Sequence, residues 1–280
     1  MDFVELQPEQ RQSFEEDGFL VVRNALDSET VRQLIDAGDR LAEAFLKKPE
    51  VLSRPEYNHL DLRPGLLREP AMRALVANAS TVSLAVQLLT PNIQLHSTSL
   101  IYKRPSPQAP VFRRGWHRDI RIPADLGHEA LPRVGVKICY CLTDFHKPAS
   151  GMTLLARRSH LRKEPLLMIK GEVDPKDVEV CDLKLNAGDA FLFENRLFHT
   201  AAPNTSDRTS KVLMYGYAYR WMKPEVYLEP PDDRRAGPTD PVLRQLLGGY
   251  RDVDTPPWAL QRWAKQRGVL PKPVPWTVDA

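Results

Sequence analysis

The stretch Asn186–Thr200, "NAGDAFLFENRLFHT", sets out a turn, an apolar strand and a histidine in that order. "AGD" reads as a turn that delivers the strand "AFLF", so His199 emerges at the strand's far end. The same punctuation runs outward in both directions. From Ile93 onward the chain alternates short strands with turn residues: "IQLHSTSLIYKR", "VGVKICYCLTD", "GMTLLARRS", "VEVCDLKLNAGDAFLFEN" and "SKVLMYGYAYRW". Upstream the period changes to that of helices. "EQRQSFEEDGFLVVRNAL" predicts a short helix stopped at Gly18 and a strand Phe19–Val22. Asp27 or Ser28 then caps a second helix carrying Val31, Leu34, Ile35, Leu41 and Phe45 at helical spacing. A third is expected from Pro70 through Leu89. Helices first and many strands afterwards predict a mainly β protein with flanking helices, a barrel or sandwich packed by N-terminal helices. The whole chain 1–280 is expected to be one domain, with 222–280 a proline-rich extension holding two short helices near Val242–Leu247 and Trp258–Arg267. No internal repeat appears, which excludes solenoids and propellers.

Composition narrows the function classes. The 280 residues are 42% hydrophobic and 27% charged, as in an ordinary globular protein. A net charge of +3 is too small for a nucleic-acid binder. Arg104, Arg113, Arg114, Arg118 and Arg121 nevertheless cluster in one segment, suiting either an anionic ligand or a solvated basic loop. Three cysteines, Cys139, Cys141 and Cys181, cannot all pair, which fits a reducing compartment. The N-terminus has no apolar core of signal-peptide length and no run approaches a membrane span, so a cytoplasmic protein without membrane contact is expected. Tyr227, Leu246, Leu247, Trp258 and Trp263 in the extension are expected to bury either against the barrel or against a second subunit, leaving monomer and homodimer both open.

A second stretch carries the chemistry. "RRGWHRDIRIP", Arg113–Pro123, puts His117 and Asp119 two positions apart, and on a strand residues i and i+2 share a face. Two histidines plus one carboxylate, with the remaining positions open, suit Fe(II) for oxygen activation. Of seven histidines, His199 is the natural third ligand, eighty residues beyond Asp119 at the end of its strand. His59, His96, His128 and His146 lack a carboxylate at strand spacing.

These segments together resemble the phytanoyl-CoA dioxygenase family of Fe(II)- and 2-oxoglutarate-dependent oxygenases. "FEEDGFLVVRNALDSETVRQL" is similar to the family's N-terminal motif, "GWHRD" to its H-x-D segment, "CYCLTD" to its central strand, "SGMTLLARRSH" to its glycine-serine-histidine turn, and "LKLNAGDAFLFENRLFHTAAPNTSDR" to its second histidine region. The resemblance spans roughly Phe14–Trp221. It implies a double-stranded β-helix, the jelly-roll or cupin-like barrel, in which His117, Asp119 and His199 hold Fe(II). It also implies that 2-oxoglutarate chelates the metal, that O2 takes the last position, and that the cosubstrate is decarboxylated to succinate as a C–H bond of a small organic molecule is oxidised. A secondary metabolite or an acyl or acid substrate fits, possible anionic character included. Hydroxylation, desaturation, epoxidation and rearrangement stay open. Asp119 fills the position that halogenating relatives leave to a small residue, so halogenation is not expected. A non-redox metal-binding barrel, an isomerase, hydrolase or binding protein, is the alternative.

One departure concerns the cosubstrate. The family commonly carries an arginine just before the strand after the second histidine, where this chain has Ser210 and Lys211. Arg208 is favoured for the distal carboxylate because a guanidinium grips a carboxylate bidentately, with Lys211 as the alternative. Tyr140, Thr200 and Lys103 are further cosubstrate candidates, and His160 is taken as structural. Leu52–Leu67 and Arg121–Arg133 are expected lids, and Trp116, Arg118 and Arg121 are expected to shape the entrance.

Overall fold

In the computed structural model the described residues are 3–48, 59–63, 65–106, 115–119, 132–170, 172–225, 240–249 and 259–270. Helix α1 (Pro8–Asp17) ends at Gly18, whose φ of 86° is the left-handed conformation that glycine adopts without cost. The strand β1 (Phe19–Val22) follows. Helix α2 (Ser28–Leu46) starts at Asp27, whose side chain accepts from the Thr30 amide, and buries Val31, Leu34, Ala37, Gly38 and Ala42 along one face. The helix expected over Pro70–Leu89 is two helices, α3 (Pro70–Leu75) and α4 (Ala79–Leu88). The break comes at Asn78, which has extended backbone and caps α4 by accepting from the Ser80 amide. Asparagine at such a position competes better as a cap than as an interior helix residue.

Nine of the eleven strands among the described residues form two sheets. β2 (His59–Leu62), β3 (Ile93–Lys103), β4 (Gly135–Cys141), β9 (Ala190–Glu194) and β11 (Ser210–Tyr219) join β1 in a six-stranded antiparallel sheet of order β1-β9-β4-β11-β3-β2. Facing it, β5 (Thr153–Ala156), β8 (Val180–Asp182) and β10 (His199–Ala201) run in the order β10-β5-β8, and His117 adds a backbone bridge to His199. A separate hairpin pairs β6 (Met168–Ile169) with β7 (Glu172–Val173). Two antiparallel sheets built from strands far apart in sequence give the double-stranded β-helix.

The pleat sorts the side chains of the large sheet. Register pairs across β3, β11, β4 and β9 place Ile101, Val212 and Cys141 in one inward row, Ser99, Met214, Cys139 and Phe191 in the next, and Ser97, Gly216, Lys137 and Phe193 in a third. Cys139, Cys141, Phe191, Phe193, Val212 and Met214 join Leu155, Cys181 and Leu185 in the core between the sheets. The opposite face carries Leu100, Tyr102, Ile138, Tyr140, Leu213, Tyr215 and Tyr217 into a second core beneath the helices. There Tyr215 and Tyr217 donate their hydroxyls to the carbonyls of Met72 and Val76 at 2.7 and 2.8 Å, about 1 kcal/mol each, which fastens α3 to the sheet.

The extension contributes α5 (Pro241–Leu246) and α6 (Ala259–Gln266). The buried Gln245 amide donates to the carbonyls of Pro91 and Ile93 and accepts from the Leu260 amide. Leu246, Leu260 and Ala264 enter the helix-side core, so these described parts of the extension pack on the chain's own fold. Tyr227 and Trp258 lie outside the described residues. Of the first expected lid, described residues form the edge strand β2 and a 3-10 turn, Leu66–Arg68, with Leu66 and Leu67 buried. Residues 51–58 and 120–131 lie outside the described set.

Candidate metal centre

His117, Asp119 and His199 offer ligand atoms that all lie within 4.8 Å of one another. The backbone brings them there: His117 N donates to His199 O at 3.1 Å and His199 N to His117 O at 3.0 Å, a reciprocal pair that sets the H-x-D segment beside β10. Each imidazole is then oriented in the same way. His117 Nδ1 lies 2.7 Å from the Gly115 carbonyl and His199 Nδ1 3.0 Å from the Leu197 carbonyl. A carbonyl only accepts, so both Nδ1 atoms carry the proton and both Nε2 atoms present lone pairs to a common point. The Phe193 ring packs 4.6 Å from His199, and the two imidazoles stand 4.3 Å apart.

Lys137 completes the cluster. Its Nζ lies 2.6 Å from Asp119 Oδ2, and Asp119 Oδ1 is 3.7 Å from His199 Nε2. Burial by itself would raise the Asp119 pKa, but Lys137, His199 and His117 outweigh it and hold the carboxyl well below its usual range. Burial pushes His199 down to about 4 against the pull of Asp119. A permanently ionised carboxylate and a neutral, buried imidazole are the protonation states that bind a cation. Two imidazole nitrogens and one carboxylate, with a cleft beside them, fit a divalent metal that keeps open positions, and Fe(II) suits that donor set.

Arg118 sits between the two ligands in sequence and turns away from them. Its Nη2 donates to the carbonyls of Ser159 and Arg162 and its guanidinium lies 4.3 Å over the Phe198 ring. It therefore braces the segment from outside instead of shaping the entrance. Trp116 Nε1 is buried without a hydrogen-bond partner among the described residues. Arg113, Arg114 and Arg121 lie outside the described residues.

A small open cleft lies at Asp119, lined among others by His96, Ser97, Lys137, Asn195 and Glu225. His96 reaches it through a bulge. Ser97 pairs with Gly216 and Leu95 with Tyr217, so His96 is the extra residue and projects on the same side as its neighbour. His96 Nδ1 stands 3.9 Å from Glu225 Oε1, and Arg63 bridges Glu225 at 3.5 Å and Asp61 at 2.7 Å. Asn195 accepts from the amides of Val134 and Gly135, fixing the start of β4 and so the root of Lys137. Sequence spacing does not point to Lys137, Asn195 or Glu225, and His96, which has no carboxylate at strand spacing, meets Glu225 only through the fold. A lysine inside the otherwise apolar strand "VGVKICYC" was the available signal.

The cosubstrate candidates separate by face. Tyr140 is on the helix side of β4, its hydroxyl 2.6 Å from Thr81 Oγ1 on α4, because Cys139 and Cys141 take the inward face. Lys211 points the same way and pairs with Asp39 of α2 at 2.6 Å. Arg208 lies on an exposed turn beside Asp144, with Nη2 on the Asp144 carbonyl. The structure does not bring these three to the metal cluster. Thr200 is buried on β10 and alternates away from His199. Lys103 alone of the five projects inward, paired across the sheet with Ser210. His160 is buried and bonds through Nε2 to the Glu15 carbonyl, a contact with α1.

Residues 14–212 match the protein family described as phytanoyl-CoA dioxygenase (PhyH). The chain belongs to this family. Among solved structures, it is similar to HygX from Streptomyces hygroscopicus with nickel and 2-oxoglutarate bound, at 16% identity and a TM-score of 0.64 over 79% of this chain and 90% of that one. It is likewise similar to the non-haem alpha-ketoglutarate-dependent carbocyclase SnoK from nogalamycin biosynthesis, at 19% identity and a TM-score of 0.62 over 83% of this chain and 90% of SnoK. AviO1 from Streptomyces viridochromogenes Tue57 matches at 21% identity and a TM-score of 0.58 over 79% and 99%. At these identities the likeness is one of fold, the double-stranded β-helix. No curated protein matches the sequence. Among the described residues no helix is long and apolar enough to cross a membrane.

Proposed function

We propose that this member of the phytanoyl-CoA dioxygenase family is a non-haem Fe(II)- and 2-oxoglutarate-dependent oxygenase that oxidises a small polar organic molecule. The observation that carries it is the His117–Asp119–His199 cluster, with both Nε2 lone pairs and one ionised carboxylate converging beside an open cleft. Fe(II) and 2-oxoglutarate, when bound, would activate O2, one oxygen atom going to succinate as CO2 is lost and the other serving C–H oxidation of the substrate.

The chain's own residues do the holding and orienting. The carbonyls of Gly115 and Leu197 fix both imidazole tautomers. Lys137 holds the outer oxygen of Asp119, so the carboxylate keeps its orientation. Phe193 excludes water from the buried side of His199. The cleft shows groups of both signs, Lys137 and Glu225, with His96 and Asn195 between them, which suits a substrate rich in hydroxyl, amine or carboxyl groups. Reactions on this fold include the ring closure by which SnoK is named, so substrate placement in the cleft, more than the metal ligands, decides the outcome.

Anaerobically purified protein given Fe(II) and 2-oxoglutarate and then air is expected to release succinate slowly without substrate. His117→Ala and Asp119→Ala are each expected to abolish that release. Equal succinate from wild type and both variants, or none from a wild type that holds Fe(II) and 2-oxoglutarate together with a substrate-like additive, overturns the proposal.

A further inference from the structure

The barrel interior holds a second lysine that the metal cluster does not use. Lys103, at the end of β3, is 6% exposed, and its Nζ donates to the carbonyls of Gly151 at 2.7 Å and Ala202 at 3.2 Å. Among the described residues these two carbonyls are its hydrogen-bond partners, and no carboxylate acts on it; burial alone pushes its ammonium down to about 8. Lys137 sits in the same interior but is already matched by Asp119. An unmatched buried cation costs several kcal/mol unless a partner of opposite charge joins it.

Its place in the sheet is specific. Lys103 and Ser210 face each other as register partners across β3 and β11, in the inward row beyond Ile101 and Val212. Where the family commonly carries an arginine this chain has Ser210 and Lys211, and of these Ser210 is the buried one on the Lys103 side of the sheet. Ser210 in turn crowds Gly151: a Cβ at Gly151, whose φ is +89°, would collide with Ser210 Oγ, so the loop that supplies one carbonyl to Lys103 approaches only as glycine. Ser150, next to it, is buried with a hydroxyl that has no hydrogen-bond partner among the described residues. Ala202, whose carbonyl touches Lys103, lies three residues beyond His199, about 10 Å along an extended strand. That is the order of length spanned by a five-carbon diacid between a metal at His199 and an ammonium at Lys103. Cys139, Cys141, Val212 and Met214, in the inward rows between Lys103 and Lys137, are small or pliable.

Resting on the oxygenase reading above, we propose that Lys103 anchors the distal carboxylate of 2-oxoglutarate, the positive charge having moved across the β3–β11 ladder from position 210 to position 103. The ammonium leaves one or both carbonyls to meet the carboxylate, a movement that a flexible four-carbon stem permits.

The test compares two acids on Zn(II)-loaded protein by titration calorimetry: 2-oxoglutarate and 2-oxopentanoate, which keeps the metal-chelating end and lacks the second carboxylate. Wild type is expected to prefer 2-oxoglutarate by at least about 30-fold, the loss measured when one partner of a buried charge pair is removed. Lys103→Met is expected to bring the preference to within about threefold while 2-oxopentanoate binds as before. Lys103→Ala combined with Ser210→Arg is expected to restore it. A merely structural lysine would weaken both acids alike, so a preference that survives in Lys103→Met overturns the assignment. If Lys103→Met does not fold, Lys103→Gln, which keeps a donor for the two carbonyls, carries the same comparison. Loss of preference in Lys137→Met with Lys103→Met unaffected would move the anchor to Lys137 and overturn the proposal. Failure of the wild type to bind either acid would overturn the oxygenase reading itself.

Discussion

At Asp119 burial and charge act in opposite directions, and Lys137 decides the result. Removing the lysine leaves a half-desolvated carboxylate without its cation, so Lys137→Met is expected to destabilise the metal-free protein by roughly 2–4 kcal/mol, read as a shift in urea midpoint. A bound divalent metal replaces the missing charge, so most of that loss should disappear in the metal-loaded variant; an equal loss in both forms would contradict the pairing. Lys103 yields a pH dependence. Its folded pKa of about 8 lies below the ordinary 10.5, so between these values the unfolded chain holds more protons and this group's contribution makes stability rise with pH. Affinity for 2-oxoglutarate moves the other way, falling as pH climbs above about 8 because the carboxylate loses its ammonium, whereas 2-oxopentanoate should show no such fall. His59, the register partner of Lys103 on β2, has its pKa lowered by burial and by the Lys103 charge, so it adds no positive charge in that range. A flat 2-oxoglutarate profile between pH 7 and 10 would contradict this. At this scale the clustering of His117, Asp119 and His199 was legible from spacing and strand context, because i, i+2 geometry is local. The faces taken by the cosubstrate candidates were not legible, since charge and position in the chain do not reveal which side of the sheet Arg208, Lys211, Tyr140 or Lys103 takes.

The elements show where alternation suffices and where it fails. Strand β4 carries Tyr140 outward onto Thr81 and Lys137 inward onto Asp119, three residues apart and on opposite faces. The alternation is plain in "VGVKICYC", but which face is the interior depends on pairing with β9 and β11, more than fifty residues downstream. The bulge that turns His96 into the cleft is likewise a property of the β3–β11 pairing and leaves no mark on β3 alone. Helix breaks are more local. Asn78 divides the expected long helix because it caps α4, and Ser80 Oγ reinforces the turn by donating to the Ala25 carbonyl. Asn78→Ala is expected to cost about 1 kcal/mol, a lower urea midpoint at unchanged slope, with the metal affinity intact. Weakened metal binding in that variant would show that the helix layer and the centre are coupled, against the separation of the two cores.

Across the molecule, one core lies between sheet and helices and the other between the two sheets, and the metal centre stands at the margin of the second, where His117 bridges to β10. The helices stiffen the large sheet from behind and contribute no ligand. Helices followed by strands, the single domain-sized run of strands and the order of the motifs made this architecture legible in the sequence, whereas the partners of each strand came only with the fold. The central claim is that His117, Asp119 and His199 form one metal site that 2-oxoglutarate completes. It is tested most directly by anaerobic calorimetry in which Fe(II) and then 2-oxoglutarate are titrated into the wild type and into the three single alanine variants. One Fe(II) per chain is predicted, with 2-oxoglutarate bound only after the metal and both events lost in every variant. Fe(II) binding that persists in the variants, or 2-oxoglutarate binding that ignores the metal, would contradict it.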